Sequence, residues 1–182
     1  MNTSSAAPLP RHGERVVLRR FAATDLPAFQ RYRHQPESGL YQGWLALSDP
    51  EALAFIEEMK SARLFEPGIW CQIAIAERET DELIGDIGVC VAAGQEKAEI
   101  GFTLRGESQG TGLATEAIRE AISLLFEVAQ VEQVVAITDM RNLRSVRLLE
   151  RMGMQKAETA AAMFKGEPCV ESTFVLSKRA GV

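Results

Sequence analysis

The 182-residue chain is predicted to fold as one α/β domain. Three observations carry that expectation. Short runs with a period of two, rich in β-branched residues, alternate with longer stretches of helical period along the sequence. At 98–128 a strand-like run, a glycine-rich turn and a strongly amphipathic helix follow one another. The composition, 46% hydrophobic and 25% charged, is that of a globular domain large enough to bury a core.

The elements follow in order. Residues 1–12 are rich in Ser, Ala and Pro and are expected to form a disordered tail, with a single domain over 13–182. The stretch 15–19 reads as a first strand. Thr24 or Asp25 caps a helix that runs to about His34, with Pro27 tolerated in its first turn. Ser48 and Asp49-Pro50-Glu51 open a second helix, whose Leu53, Ile56 and Met59 share a face with Ala52 and Phe55. Strands at 70–75 and 83–89 flank the polar turn 78–82 as a hairpin. A strand at 98–104 alternates Ala98, Ile100, Phe102 and Leu104 with Glu99, Gly101 and Thr103. The next helix carries Ala117, Ile118, Ala121, Ile122, Leu125 and Val128 on one face. A strand at 133–138 and a helix at 143–152 follow, the helix with Leu143, Val146, Leu149 and Met152 at helical spacing and Gly153 as its left-handed end. Two strands, near 154–163 and 169–177, close the chain.

Several function classes are disfavoured. A net charge of −5 argues against nucleic acid, whose binding draws on concentrated Lys and Arg. The three cysteines, Cys71, Cys90 and Cys169, have no metal-ligand spacing, and their odd number argues against a disulfide framework. No signal peptide or membrane span is expected, and a reducing cytoplasm is the simplest home.

The chemistry centres on Gln109-Gly110-Thr111-Gly112-Leu113-Ala114-Thr115. Glycines and an alanine at the mouth of a helix let backbone approach a ligand closely. The free N–H groups and positive dipole of that end favour a phosphate. A Walker loop would need Lys-Ser/Thr where Leu113-Ala114 stand, and a dinucleotide fingerprint would need a third glycine at Thr115. The remaining pattern, Gln/Arg-x-x-Gly-x-Gly/Ala, is met by Gln109, Gly112 and Ala114.

On those residues the stretch resembles motif A of the GNAT superfamily of N-acyltransferases. A second segment agrees: the run 134–138, then Asn142 as a plausible N-cap, Ser145 and Gly153 resemble the superfamily's strand-Asn-x-x-Ser-helix-Gly segment, with Met154 where an aromatic is usual. Ala98-Glu99-Ile100-Gly101-Phe102 and Ala114-Thr115-Glu116-Ala117 look closest to the branch of ribosomal-protein alanine N-acetyltransferases.

The resemblance implies a GNAT fold: a mixed, mostly antiparallel twisted sheet of about seven strands flanked by about four helices. It implies acetyl-CoA as co-substrate, no metal, and direct acetyl transfer to an amine. Gln109 to Thr115 would cradle the pyrophosphate. The backbone of Phe102, Thr103 and Leu104 would pair with the pantetheine arm in the gap between splayed strands, with Asn142 nearby. Glu99 is the candidate base for the ammonium proton, with Asp86 on the neighbouring strand as understudy and substrate contact. No tyrosine follows Tyr41, so Ser145 is the candidate hydrogen-bond donor to the departing sulfur. Gln42 and Trp44 fall where the branch builds its acceptor pocket. Gln109 replaces a commoner Arg, and Glu107 adds an unhelpful negative charge nearby. The acceptor is left open between a protein N-terminus and a small amine such as an amino acid, polyamine or aminoglycoside. A homodimer is left open too, as is a non-catalytic acyl-CoA-binding regulator.

Overall fold

A computed structural model describes residues 8–178. Among the described residues eight strands form one open sheet, in the order β1-β2-β3-β4-β5-β6-β8-β7. They are β1 (Arg11–His12), β2 (Val16–Arg19), β3 (Trp70–Glu77), β4 (Leu83–Val91), β5 (Lys97–Leu104), β6 (Gln133–Asp139), β7 (Gln155–Phe164) and β8 (Glu167–Ser177). Every neighbouring pair is antiparallel except β5 and β6, which are parallel. Among the described residues five α-helices join them: α1 (Leu26–Arg33), α2 (Pro36–Gly39), α3 (Asp49–Ser61), α4 (Leu113–Leu124) and α5 (Leu143–Arg151).

The sheet has a core on each face. On one, Leu18, Ile73, Ile75, Ile87, Val89, Ala98 and Ile100 pack against Ala117, Ile118 and Ala121 of α4 and Val146 and Leu149 of α5. On the other, Ala74 and Leu83 pack with Phe29 and Tyr32 of α1 and Ile56 and Met59 of α3. Alternation along the strands serves both faces at once, which is why β3 and β4 are buried along most of their length.

Several expectations need correction. Arg11–His12 is not tail but a short edge strand paired with Leu18 and Val17. Arg11 anchors it to α4, with Nε 2.8 Å from Glu120 and Nη1 2.7 Å from Glu127. Residues 1–7 of the expected tail lie outside the described residues. The additional helix α2, Pro36–Gly39, is too short to show a hydrophobic period. Leu53 is exposed because the buried stripe of α3 runs through Ala52, Ile56 and Met59. Leu143 is exposed in the first turn of α5, ahead of that helix's buried Val146, Leu148 and Leu149. Val128 is exposed because α4 widens into a π turn over Leu125–Ala129, which breaks the 3.6 period that would have turned it inward.

Candidate active site

The parallel ladder between β5 and β6 has only three rungs, Lys97–Gln133, Ala98–Val134 and Glu99–Val135. Both strands continue past it, to Leu104 and Asp139, without pairing to one another. The strands therefore splay, and β5 presents unpaired backbone to the gap. Which residues do so follows from the hairpin register. Ala92 N donates to Lys97 O and Arg105 N to Ile84 O, each at 2.8 Å, so odd-numbered residues of β5 point their polar groups at β4. Even-numbered ones point at the gap. Phe102 and Leu104 qualify, and Ile100 joins them. Thr103 does not: its N–H and C=O belong to the β4 pairing, opposite Asp86. Two of the gap carbonyls are already met by side chains, Phe102 O by Gln42 Nε2 and Leu104 O by Gln109 Nε2, both at 2.9 Å.

Beyond Leu104 the chain makes a single 3₁₀ turn at Gly106–Ser108 and then enters the glycine loop. Gly110 has φ +76° and Gly112 φ +89°, the left-handed region in which a side chain is strained. Gly112 is the N-cap of α4, and the first intrahelical bond is Glu116 N to Gly112 O, 3.1 Å. Among the described residues the N–H groups of Gly110 to Thr115 have no protein acceptor. That row of free donors at a helix N-terminus fits a pyrophosphate. Glu116 fixes the helix end in place: its Oε1 accepts from Arg15 N at 2.7 Å and Val16 N at 3.2 Å. Burial works against this carboxylate, but those N–H groups and the Arg15 guanidinium outweigh it and hold its pKa below the ordinary value.

Two cations that the linear pattern hides lie at the loop. Arg15 Nη1 donates to Thr111 O at 3.0 Å, and a cavity of about 380 Å³ opens there beside Gly112, Thr115 and Arg119. Arg144 of α5 donates to Gln109 Oε1. Gln109 thus carries no charge itself but tethers one to the loop. Both contacts are long-range, that of Arg15 spanning almost a hundred residues, so neither shows in the linear pattern.

The Arg144 contact also locates α5, whose first turn stands across the gap from the end of β5. Asn142 caps that helix, its Oδ1 accepting from Ser145 N at 3.2 Å. Ser145 is half-buried, and among the described residues its hydroxyl has no hydrogen-bond partner. Gly153 ends the helix with φ +78°.

Glu99 lies on the α1/α3 face of the sheet, in register with Cys90 and at the last rung before the splay. Burial raises its pKa; Lys97 opposes the shift and Glu171 of β8 adds to it. Next along this face, Gly101 stands opposite Gly88, and a Cβ at Gly101 would meet nothing within 4 Å, so the surface beside Glu99 is open. Asp86 is different. It is buried, accepts from Tyr32 OH, and pairs with Arg33 Nη2 at 2.8 Å. Burial first, then the neighbouring carboxylate, push the Tyr32 phenol well above its usual pKa, which keeps it a donor. The carboxylate of Asp86 thus holds α1 on β4 through Arg33 and Tyr32, an engagement that differs from the free base or substrate contact expected of it. Trp44 packs over Arg33, 4.2 Å from ring centroid to guanidinium carbon. Gln42 and Trp44 therefore both sit at this site, one at the gap and one beside it.

A model of the acetyltransferase (GNAT) domain family matches residues 15–155. The uncharacterized N-acetyltransferase YoaA of Bacillus subtilis (strain 168) is 30% identical over 145 residues, 79% of this chain and 81% of that protein. Among solved structures, the microcin C7 self-immunity acetyltransferase MccE, in complex with acetyl-CoA and AMP, superposes with a TM-score of 0.78 at 16% identity, covering 91% of this chain and 94% of that one. RimL, a ribosomal L7/L12 α-N-protein acetyltransferase in complex with coenzyme A, gives 0.77 at 14% identity, covering 92% and 97%. At these identities the two structures bear on fold alone. The family match spans the splayed strands, the glycine loop and α5 together, and the chain belongs to the GNAT acetyltransferase family as an acetyltransferase enzyme.

Proposed function

We propose that the protein moves an acetyl group from acetyl-CoA directly to a primary α-amine, such as a protein N-terminal amine of the kind RimL acts on. The observation that carries the reading is the juxtaposition of free loop N–H groups at Gly110 to Thr115, an unpaired β5 edge and Glu99 at the head of the same gap. Acetyl-CoA supplies the activated acyl group. The loop amides hold its phosphates, with Arg15 and Arg144 adding charge at the loop. Ile100, Phe102 and Leu104 offer backbone to the pantetheine arm once Gln42 leaves Phe102 O.

Glu99 takes the ammonium proton, directly or through one water. Its raised pKa brings it closer to that task than an ordinary carboxylate. Ser145 Oγ, uncommitted in the first turn of α5, donates a hydrogen bond where negative charge grows on sulfur. No covalent enzyme intermediate is needed. A panel of N-terminal peptides and small amines, assayed for CoA release with the products weighed by mass spectrometry, tests the proposal. Acetylated α-amines support it, and absence of any acetylated product across the panel refutes it.

A further inference from the structure

Beside the gap, the 33–46 segment and the β7–β8 turn enclose a second cleft of about 370 Å³. Arg33, His34, Leu40, Trp44, Leu45 and Lys165 line it, and among the described residues no carboxylate does. Lys165 is held at its rim, with Nζ 2.6 Å from Gly39 O. Leu40 and Leu45 are exposed, 56% and 75%, so the wall is apolar as well as basic. Gln42 of the same segment reaches Phe102 O, which sets the cleft next to the place where the acyl group would be presented.

The buried polar groups in its wall are unbalanced. Arg33 is only 6% exposed and spends Nη2 on Asp86, but its Nε has no partner. The indole Nε1 of Trp44, stacked on the same guanidinium, has none either. Buried N–H groups are almost always paired in folded proteins. Two neighbouring donors without a protein acceptor, in a wall with a basic rim and with the Asp86 carboxylate behind it already spent on Arg33 Nη2 and Tyr32, are complementary to one bidentate anion.

We propose that this cleft takes a carboxylate of the acceptor. One carboxylate oxygen accepts from Trp44 Nε1, the other from Arg33 Nε, Lys165 supplies charge at the rim, and Leu40 and Leu45 take the apolar remainder. The acceptor is then an α-amine whose own molecule carries a carboxylate. The assignment rests on the acetyl-transfer reading, because it places the acceptor's amine at the gap. A free amino acid and an acidic peptide N-terminus share this chemistry. A polyamine lacks it.

The test uses phenylalanine, its decarboxylated counterpart phenethylamine, and a C-terminally amidated dipeptide of phenylalanine and aspartate. The chain has two tryptophans, Trp44 and Trp70, so the indole N–H resonances are assigned with Trp70→Phe. Titration should move the Trp44 indole resonance with phenylalanine or the dipeptide and leave it in place with phenethylamine. Whichever of the two carboxylates moves it identifies the source. Trp44→Phe keeps an aromatic ring on Arg33 and removes only the donor. It should reduce the preference for the carboxylate-bearing ligand about tenfold in Kd, as loss of a hydrogen bond to a charged group implies. A resonance that moves equally with phenethylamine, or with none of the three, overturns the proposal. CoA release with the same compounds is scored separately. A shifted resonance without any release would refute acetyl transfer and leave the carboxylate cleft standing.

Discussion

Glu99 stands opposite Val135 at the last rung of the β5–β6 ladder, so the residue that closes the paired part of the sheet is also the first to face the opening. That position goes with its half-burial and its raised pKa: burial raises it first, and the Glu171 carboxylate of β8 adds to the shift against Lys97.

Glu99→Gln separates function from stability. The carboxyl's pKa is raised by burial above its unfolded value of about 4.3. Folding therefore favours the neutral form. Any stability the group contributes is fully present below the unfolded pKa and is lost as pH rises through the folded one. Gln copies the neutral form at every pH. The variant should melt higher than wild type at neutral pH, with the gain vanishing in acid, while kcat falls and recovers partly as alkaline pH frees the amine. Melting curves and pH–rate profiles measure both. Unaltered turnover with a higher Tm would leave Glu99 a half-buried carboxylate with no part in the chemistry.

Gly112→Val addresses the cradle. At φ +89° a valine is strained at a cost of about 1–3 kcal/mol, and its Cβ would come within 3.1 Å of Arg15 Nη2. The helix itself, held by Ala117, Ile118 and Ala121, should keep its circular dichroism. Acetyl-CoA affinity should drop at least about tenfold by calorimetry, since the free N–H row loses its geometry. Wild-type affinity in the folded variant would remove the loop from the cofactor site.

The parts of this site that are local in sequence are the parts that sequence shows. The Gly110–Ala114 loop, the Asn142 cap and Gly153 each depend on a few consecutive residues whose backbone demands are visible in their side chains. The splay is not local. It arises because β5 and β6 stop pairing after Glu99 and Val135, and Ile100 to Leu104 would spell the same strand whether paired or not. Thr103 departs from expectation for a related reason: which way a backbone carbonyl points depends on the register of the β4–β5 hairpin, set by Ala92 and Lys97. Asp86 looked available because its partners, Tyr32 and Arg33, lie more than fifty residues upstream. β1 has two residues, too few to show any period.

Asp86→Ala should reveal a structural role. Removing one partner of a buried ion pair strands the other charge, at a cost of about 3–5 kcal/mol. Tyr32 OH would lose its acceptor as well. Chemical denaturation should show that loss, and Asp86→Asn, which keeps an acceptor, should lose less. A change under about 1 kcal/mol with abolished turnover would instead return Asp86 to the catalytic machinery.

Ser145→Ala tests the donor to sulfur. Asn142 accepts from Ser145 N rather than from its hydroxyl, so the cap survives the substitution intact. Helix propensity shifts by only about half a kcal/mol, in favour of Ala. Stability should therefore hold or rise slightly. If Oγ donates a hydrogen bond that strengthens as charge develops on sulfur, the loss belongs to the transition state and falls on kcat, with acetyl-CoA affinity little changed. A neutral hydrogen bond contributes about 0.5–1.5 kcal/mol and one to a charged atom up to about 3, which corresponds to a decrease of roughly two- to a hundredfold. Ser145→Cys, which keeps a weaker donor at the same position, should fall between alanine and wild type. Steady-state kinetics on the three proteins decide the role. A kcat for the alanine variant equal to wild type would mean that the sulfur leaves with help from water alone, and that Ser145 is there for the helix.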